Sequence, residues 1–548
     1  MEFNLADLFE SIVDVLTDQT AMVSDLRRLS YLELDERSNR VAHYLAAAGV
    51  GAGDRVGLQL ANGTEYVESM LACFKIRVVP VNVNYRYVAA ELRYLYQDAG
   101  LVGLVFHGRF AKAVHGAIDA LPERRVLLEV AEPAPASAPE PGSAPAIDGT
   151  VVDYEEALAG SSGARDFPER SADDLYCVYT GGTTGMPKGV LWRQQDIFFA
   201  AMGGGDPLSL GDFIEKPEDL AGRVLRPGIT ALAIPPFMHA SGHWLVFANL
   251  FGGGKLVTLP GGRFDPVAVW KAVDAETINA IIIVGDAMAR PLIDELLVEP
   301  GRYDLSSLMA FGSGGAVLSP STKEQLTELL PGRIIADLFG SSETGQVGGE
   351  APAGDPFGAP RLRVNDRTNV LDESLQVVQP GSGVVGKLAR TGNIPLGYLG
   401  DPVKTASTFV EAGGRRWSLP GDMATVESDG TIVVLGRGAL SINTGGEKVF
   451  PDEVEGILKS HPDVLDAIVV GVPDDRFGER VVGLIQTREG RVVEPETLRT
   501  FCRDKLTGYK IPRQIVTVEI ITRSPSGKPD YPWARTVAIE ATGGPTQP

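Results

Sequence analysis

A strand-forming run, Leu175-Tyr-Cys-Val-Tyr-Thr180, empties directly into Gly181-Gly182-Thr183-Thr184-Gly185-Met186-Pro187-Lys188. This junction constrains the chain more than any other stretch. Glycines let the backbone N–H groups of a loop turn inward, threonines add donors and a closing lysine adds charge, a combination suited to wrapping the phosphates of a nucleotide. A Walker A loop needs Gly-Lys-Ser/Thr after a four-residue gap, whereas the order here is Pro187-Lys188-Gly189, which excludes an ordinary P-loop NTPase. A plain surface turn has no use for three hydroxyls, on Thr180, Thr183 and Thr184, beside a lysine.

Around this loop the apolar pattern alternates. Val56–Leu60 reads as a strand, Glu65–Lys75 as a helix, Val78–Val83 as a strand, the stretch from Ala90 as a helix, and Leu101–Phe106 as a strand. A second series runs through Leu175–Thr180, Ile229–Ile234, Leu256–Leu259 and Ala280–Val284, with Met288–Leu297 as a following helix. No solenoid period interrupts it, so the body is predicted to be α/β and doubly wound. After Arg437 the texture changes to a helix at Pro451–Leu458, strands at Ala467–Val472 and Val481–Gln486, a helix at Pro495–Lys505 and a strand at Gln514–Glu519, a small α+β domain of its own. Ala131–Ala146, rich in Ala, Pro, Ser and Glu, is predicted to be an exposed loop.

At 548 residues the chain is predicted to hold at least two domains. Its net charge of −21 argues against a nucleic-acid partner, because phosphate backbones attract basic faces. A polyanionic ligand would then need a locally positive pocket, for which Lys188, Arg437, Lys448 and Lys528 are the candidates. Cys73, Cys177 and Cys502 lie too far apart for a metal or disulfide framework and fit a reducing cytoplasm. The first residues lack a signal-peptide pattern, and no apolar run is long enough for a transmembrane segment.

Downstream of the glycine loop follow Phe339-Gly340-Ser341-Ser342-Glu343-Thr-Gly, Pro420-Gly421-Asp422, Gly436-Arg437, Gly445-Gly446-Glu447-Lys448 and Ser526-Gly527-Lys528. In that order and spacing, the set resembles the adenylate-forming superfamily of acyl-CoA synthetases, peptide-synthetase adenylation domains and luciferases. The resemblance implies a large N-terminal domain, placed at 1–437, with doubly wound sheets and most of the active site. It also implies a small mobile C-terminal lid, placed at 438–548, with a hinge near Leu440.

ATP, Mg²⁺ and coenzyme A are the implied co-substrates and cofactor. By resemblance, Thr180, Gly181, Gly182, Thr183, Thr184, Gly185 and Lys188 hold the β- and γ-phosphates. Gly314, Gly315 and Ala316 face one side of adenine, with Phe339, Gly340, Ser341 and Ser342 on the other, and Phe339 stands where tyrosine is usual. Asp422 accepts from the ribose hydroxyls and Arg437 clamps ribose or phosphate. Glu343, with Thr183 as the weaker candidate, ligates Mg²⁺. Lys528 acts on the carboxylate and α-phosphate, His239 lies near the acyl carboxylate, and His243 is by default structural or exposed. Gly445, Gly446, Glu447 and Lys448 line the pantetheine path. Three departures from the family's usual residues are Pro420 for threonine, Leu440 for a charged hinge residue and Asn443 for lysine.

Pro235–Gly242 lacks the aspartate that pairs with an amino-acid substrate in peptide synthetases. Gly285-Asp-Ala-Met-Ala-Arg-Pro291 and Ser441–Lys448 resemble actinobacterial ligases of fatty acids or steroid side-chain carboxylates. A small-molecule acyl substrate is therefore expected. The rival readings are an acyl-AMP ligase that loads a carrier protein and a non-catalytic acyl- or nucleotide-binding protein. A homodimer stays open as an assembly state.

Overall fold

The computed structural model describes residues 1–24, 27–132, 151–180, 186–206, 212–259, 264–316, 318–348, 361–444, 447–474, 476–503, 505–523 and 529–543. Gly181, Gly182, Thr183, Thr184, Gly185, Gly445, Gly446 and Lys528 lie outside the described residues, as does most of Ala131–Ala146. The chain divides into two compact units. One comprises Met1–Ile282, Tyr303–Leu308 and Asn393–Ser407; the other comprises Ile283–Arg302, Met309–Gly392 and Thr408–Pro548.

In the first unit the alternation read from sequence becomes a sheet whose strands run Gly397–Tyr398, Lys188–Arg193, Leu175–Thr180, Val79–Asn82, Arg55–Gln59, Gly103–His107, Val126–Val130 and Val151–Asp153. From Leu175–Thr180 outward through Val151–Asp153 the ladders are parallel, and Val79–Asn82 and Gly103–His107 are buried throughout, as crossover helices on both faces require. The helix Thr64–Lys75 is one such cover, with all but one of its residues buried. At the other edge the sheet turns antiparallel. Leu175–Thr180 and Lys188–Arg193 form a hairpin, and Gly397–Tyr398 adds to it. A further set of strands, Ala280–Ile283, Thr230–Ala233, Lys255–Val257 and Thr20–Ser24, is parallel. The helix Tyr31–Ala47 starts at a capping box made by Ser30 and Glu33.

The second unit carries the parallel pair Ala310–Gly314 and Ile334–Ser341. It also holds an antiparallel sheet of Arg361–Arg363, Thr431–Arg437, Asp422–Val426, Gly386–Thr391, Arg415–Ser418 and Phe409–Ala412, with Thr368–Leu371 paired to Gly386–Thr391. The doubly wound reading did not anticipate this sheet, whose strands are short. Its inward residues, among them Leu362, Val370, Leu388, Ile432 and Val434, close a core of their own. The α+β domain read after Arg437 is present. Val464–Asp474 and Gly478–Thr487 form a long hairpin, Gln514–Thr517 adds in parallel, and Pro451–Lys459 and Pro495–Arg503 cover one face. A helix at Tyr531–Thr542, not read from sequence, covers the other. Within the second unit Pro451–Lys459 packs against Thr431–Arg437. No helix among the described residues is long and apolar enough to cross a membrane.

Candidate active site

The glycine loop leaves and re-enters one antiparallel ladder, with Thr180 opposite Lys188. Gly189 keeps the hairpin tight, since a Cβ there would meet the Tyr179 ring at 2.7 Å and Cys177 Sγ at 2.9 Å. Asn82, 6 % exposed, fixes the loop's root. Its Oδ1 accepts from Tyr179 N–H at 2.7 Å, and its Nδ2 donates to the carbonyls of Tyr179 at 2.8 Å and Met238 at 2.6 Å. One buried amide thus ties the start of the loop to the residue before His239, a link that a lone Asn in a strand did not announce. Lys188 is described at the other foot, and its ammonium is ion-paired with Asp401.

His239 stands at the N-cap of the helix Ala240–Phe251. A tight turn places it: His239 N–H donates to Pro236 O at 3.0 Å, and His239 O accepts from Gly242 N–H at 2.9 Å. A Cβ at Gly242 would collide with that Pro236 carbonyl, so glycine is required there. His243 proves to be the structural histidine of the pair. It is 2 % exposed, its Nδ1 donates to Phe237 O at 2.7 Å, and its Nε2 accepts from Tyr176 OH. Tyr176 in turn accepts from Trp244 Nε1 at 2.9 Å. Burial pushes the His243 imidazolium down to about 4, so the ring is neutral and holds this tautomer.

In the second unit Gly314 ends one parallel strand, with Gly315 and Ala316 just beyond it, while Phe339, Gly340 and Ser341 end its neighbour, with Ser342 just beyond; Gly314 is opposite Leu338. Carboxyl ends of parallel strands are where ligands settle in open α/β sheets. Gly315 adopts φ +86, and Ser313 Oγ braces the turn by donating to Ala316 O at 2.7 Å. The Phe339 ring packs against the Leu362–Val434 core. Glu343 sits in a turn closed by Thr344 N–H donating to Ser341 O at 3.1 Å, and its own carbonyl accepts from Ser418 Oγ at 2.6 Å. The antiparallel sheet therefore anchors the Glu343 turn. A half-buried carboxylate offers the hard oxygen donor that Mg²⁺ prefers. Among the described residues no group of three His, Cys, Asp or Glu converges on a metal position.

Asp422 and Arg437 are brought together directly. They face each other across an antiparallel pair, with Arg437 Nε at 2.9 Å from Asp422 Oδ1 and Arg437 Nη1 at 2.9 Å from Pro420 O. Asp422 is 5 % exposed, so its carboxylate is held in one orientation. Directly after Arg437 comes the 3₁₀ turn Gly438–Leu440, which contains the expected hinge. Asn443 pairs with Lys448 and Thr444 with Glu447, so the described residues on either side of Gly445-Gly446 are held together. Arg523 and Pro529 form an isolated antiparallel bridge, and Arg523 holds Asp466 at 2.6 Å. All three loops assigned to phosphate, pantetheine and adenylation chemistry thus start and end on paired backbone.

Glu455, on the helix Pro451–Lys459, was not read from sequence as special. It is 3 % exposed, and its Oε1 accepts from Val469 N–H at 2.9 Å and Tyr531 OH at 3.1 Å. Burial raises its carboxyl to about 7; Lys459 opposes the shift, while Asp452 and Asp466 add to it. A raised carboxyl stabilises the fold while protonated. That contribution is present below the ordinary value of 4.5 and is lost as pH rises through about 7. Glu455→Gln is therefore expected to melt at a higher temperature than wild type at pH 8 and at nearly the same temperature at pH 4. Parallel melting profiles across that range would place the shift elsewhere.

The chain matches the model of the AMP-binding enzyme family over residues 9–399 and that of the AMP-binding enzyme C-terminal domain over residues 453–528. It is 46 % identical to a 3-oxocholest-4-en-26-oate–CoA ligase of Rhodococcus rhodochrous, over 98 % of this chain and 96 % of the relative. It is 44 % identical to a medium/long-chain-fatty-acid–CoA/3-oxocholest-4-en-26-oate–CoA ligase of Mycobacterium tuberculosis, over 97 % and 95 %. Its fold is similar to that of the anthranilate CoA ligase AuaEII in complex with anthranoyl-AMP, with a TM-score of 0.83 at 21 % identity over 98 % of each chain.

Proposed function

The chain belongs to the AMP-binding enzyme family, and from that premise we propose that it is an AMP-forming acyl-CoA ligase acting on a medium- or long-chain fatty acid or a steroid side-chain carboxylate. The observation that carries this reading is near-full-length identity to ligases named for those acids. The chain also has Lys188, Glu343, Asp422, Arg437 and Lys528 at the positions such chemistry needs.

In the first half-reaction a carboxylate oxygen attacks the α-phosphorus of ATP and the bond to pyrophosphate breaks, giving an acyl adenylate. Negative charge gathers around phosphorus, so fixed cations serve better than a covalent nucleophile. Lys528 would meet that charge, Lys188 would hold the departing phosphates, and Asp422 would fix the ribose. Mg²⁺ would be held by Glu343, with Thr183 as the weaker candidate, and would supply charge neutralisation on the phosphates. His239, set by its turn, would face the acyl carboxylate.

In the second half-reaction the thiolate of coenzyme A attacks the acyl carbon and AMP departs with the carboxylate oxygen. Gly445, Gly446, Glu447 and Lys448 would line the pantetheine path while Lys528 is withdrawn. A division at 1–437 and 438–548 would supply that exchange, with rotation at Leu440. Two family models that match on opposite sides of this point support the division, and backbone torsion needs no charged hinge residue. Three buried free cysteines suit a reducing cytoplasm.

The test is a panel of acids scored for pyrophosphate release with and without coenzyme A, with products identified by mass. Acid-dependent release together with acyl-CoA supports the reading. Acyl-AMP that accumulates and passes only to a carrier protein would replace coenzyme A as acceptor. No acid-dependent release from any acid would leave a binding protein.

A further inference from the structure

Asp401 lies 213 positions beyond Lys188, yet its carboxylate is the lysine's partner. The backbone arranges this. The strand Gly397–Tyr398 pairs antiparallel to Lys188–Arg193, with Gly397 opposite Leu191 and Tyr398 opposite Val190. Leu396 N–H donates to Leu191 O at 2.7 Å and Leu399 N–H to Gly189 O at 2.8 Å, which extends the clip to the residue beside Lys188. The helix Pro402–Thr408 then begins, and Asp401 caps it. Its Oδ1 accepts from Lys404 N–H at 2.8 Å, and its carbonyl accepts from Thr405 N–H at 3.0 Å and Thr405 Oγ1 at 2.7 Å.

Capping a helix takes one carboxylate oxygen; the other, Oδ2, is given to the ammonium. The hydrogen bond from Lys188, followed by the one from Lys404 N–H, holds the Asp401 carboxyl below its ordinary range, so it is a full negative charge at neutral pH. The side chains of Lys188 and Asp401 remain 40 % and 30 % exposed, open to an incoming anion. A polyphosphate that takes this ammonium must displace or share it with a carboxylate that also repels the phosphate.

We infer that Asp401 is the exchange counter-ion of Lys188. It holds the ammonium in place while no nucleotide is bound, yields it to the phosphates, and takes it back as pyrophosphate leaves. The inference rests on the reading of Lys188 as a phosphate ligand. It makes Asp401 a positioning residue that weakens phosphate binding in exchange for release.

The test is calorimetric binding of Mg·ATP and of pyrophosphate to the full chain, in wild type, Asp401→Asn, Lys188→Ala and the double variant. Asparagine keeps an oxygen for Lys404 N–H and removes the charge, so the melting temperature should hold, whereas Asp401→Ala should lower it. In Asp401→Asn both dissociation constants are expected to fall by about two- to fivefold at low salt, and by less at high salt, as befits an exposed pair. In the Lys188→Ala background the same substitution should relieve repulsion only and give a smaller change. Unchanged or weaker binding in Asp401→Asn, or an equal gain with and without Lys188, would overturn the exchange. Wild-type protein that binds neither ligand would overturn the nucleotide reading itself, and the exchange with it.

Discussion

Lys528→Ala is expected to slow adenylate formation by about a hundred- to a thousandfold, the usual cost of removing one preorganised group that meets transition-state charge. Thioester formation from supplied acyl-AMP should stay within about twofold of wild type on the same reasoning, because the proposed mechanism withdraws the lysine in that half-reaction. The selectivity of the loss is the informative part. Arg523 and Pro529, the described feet of the segment, are bridged to each other, and Arg523 is fixed on Asp466. Alanine at 528 removes a charge and leaves Arg523 and Pro529 unchanged in the sequence. Equal loss in both half-reactions, measured by pyrophosphate release and by acyl-CoA formation from acyl-AMP, would mean that the lysine has another role.

Asp422→Ala should raise the KM for ATP by at least about tenfold and lower turnover, since hydrogen bonds to a charged acceptor contribute about 1.5–3 kcal/mol each. Two consequences converge there. The ribose would lose its proposed acceptor, and Arg437 loses the carboxylate that orients it at 2.9 Å. Asp422→Asn keeps one acceptor oxygen and should fall between alanine and wild type. The KM for the acid should move far less than that for ATP. An unchanged ATP dependence would take Asp422 out of the nucleotide site.

Residues in dense local patterns were legible from the sequence. Leu175–Thr180 reads as a strand because apolar residues run up to a glycine break, and that is the strand observed. Asp422 and Arg437 announce themselves only as members of a motif set, yet the fold places them side by side. Asp401 was not legible, since Gly-Asp-Pro before a helical stretch reads as an ordinary cap, and nothing local points to a lysine 213 positions away. Asn82 was hidden for the same reason: its three bonds are all to distant backbone.

Glu455 did leave a signal. It falls among Pro451, Val454, Ile457 and Leu458, the buried side of its helix, and an acid inside an apolar helical stripe marks a buried carboxyl. The antiparallel sheet between 361 and 437 left little signal. Its strands are three to seven residues long and draw their burial from one another rather than from a continuous apolar run.

In the proposed reaction the acid's own oxygen attacks the α-phosphorus of ATP before coenzyme A attacks the acyl carbon. This order is tested most directly by running the purified chain with ATP, Mg²⁺, coenzyme A and a carboxyl-¹⁸O-labelled fatty or steroid side-chain acid, and weighing the nucleotide product. The expected product is AMP carrying one ¹⁸O, formed in step with acyl-CoA and unlabelled pyrophosphate. Unlabelled AMP, or ADP with label in inorganic phosphate, would contradict it.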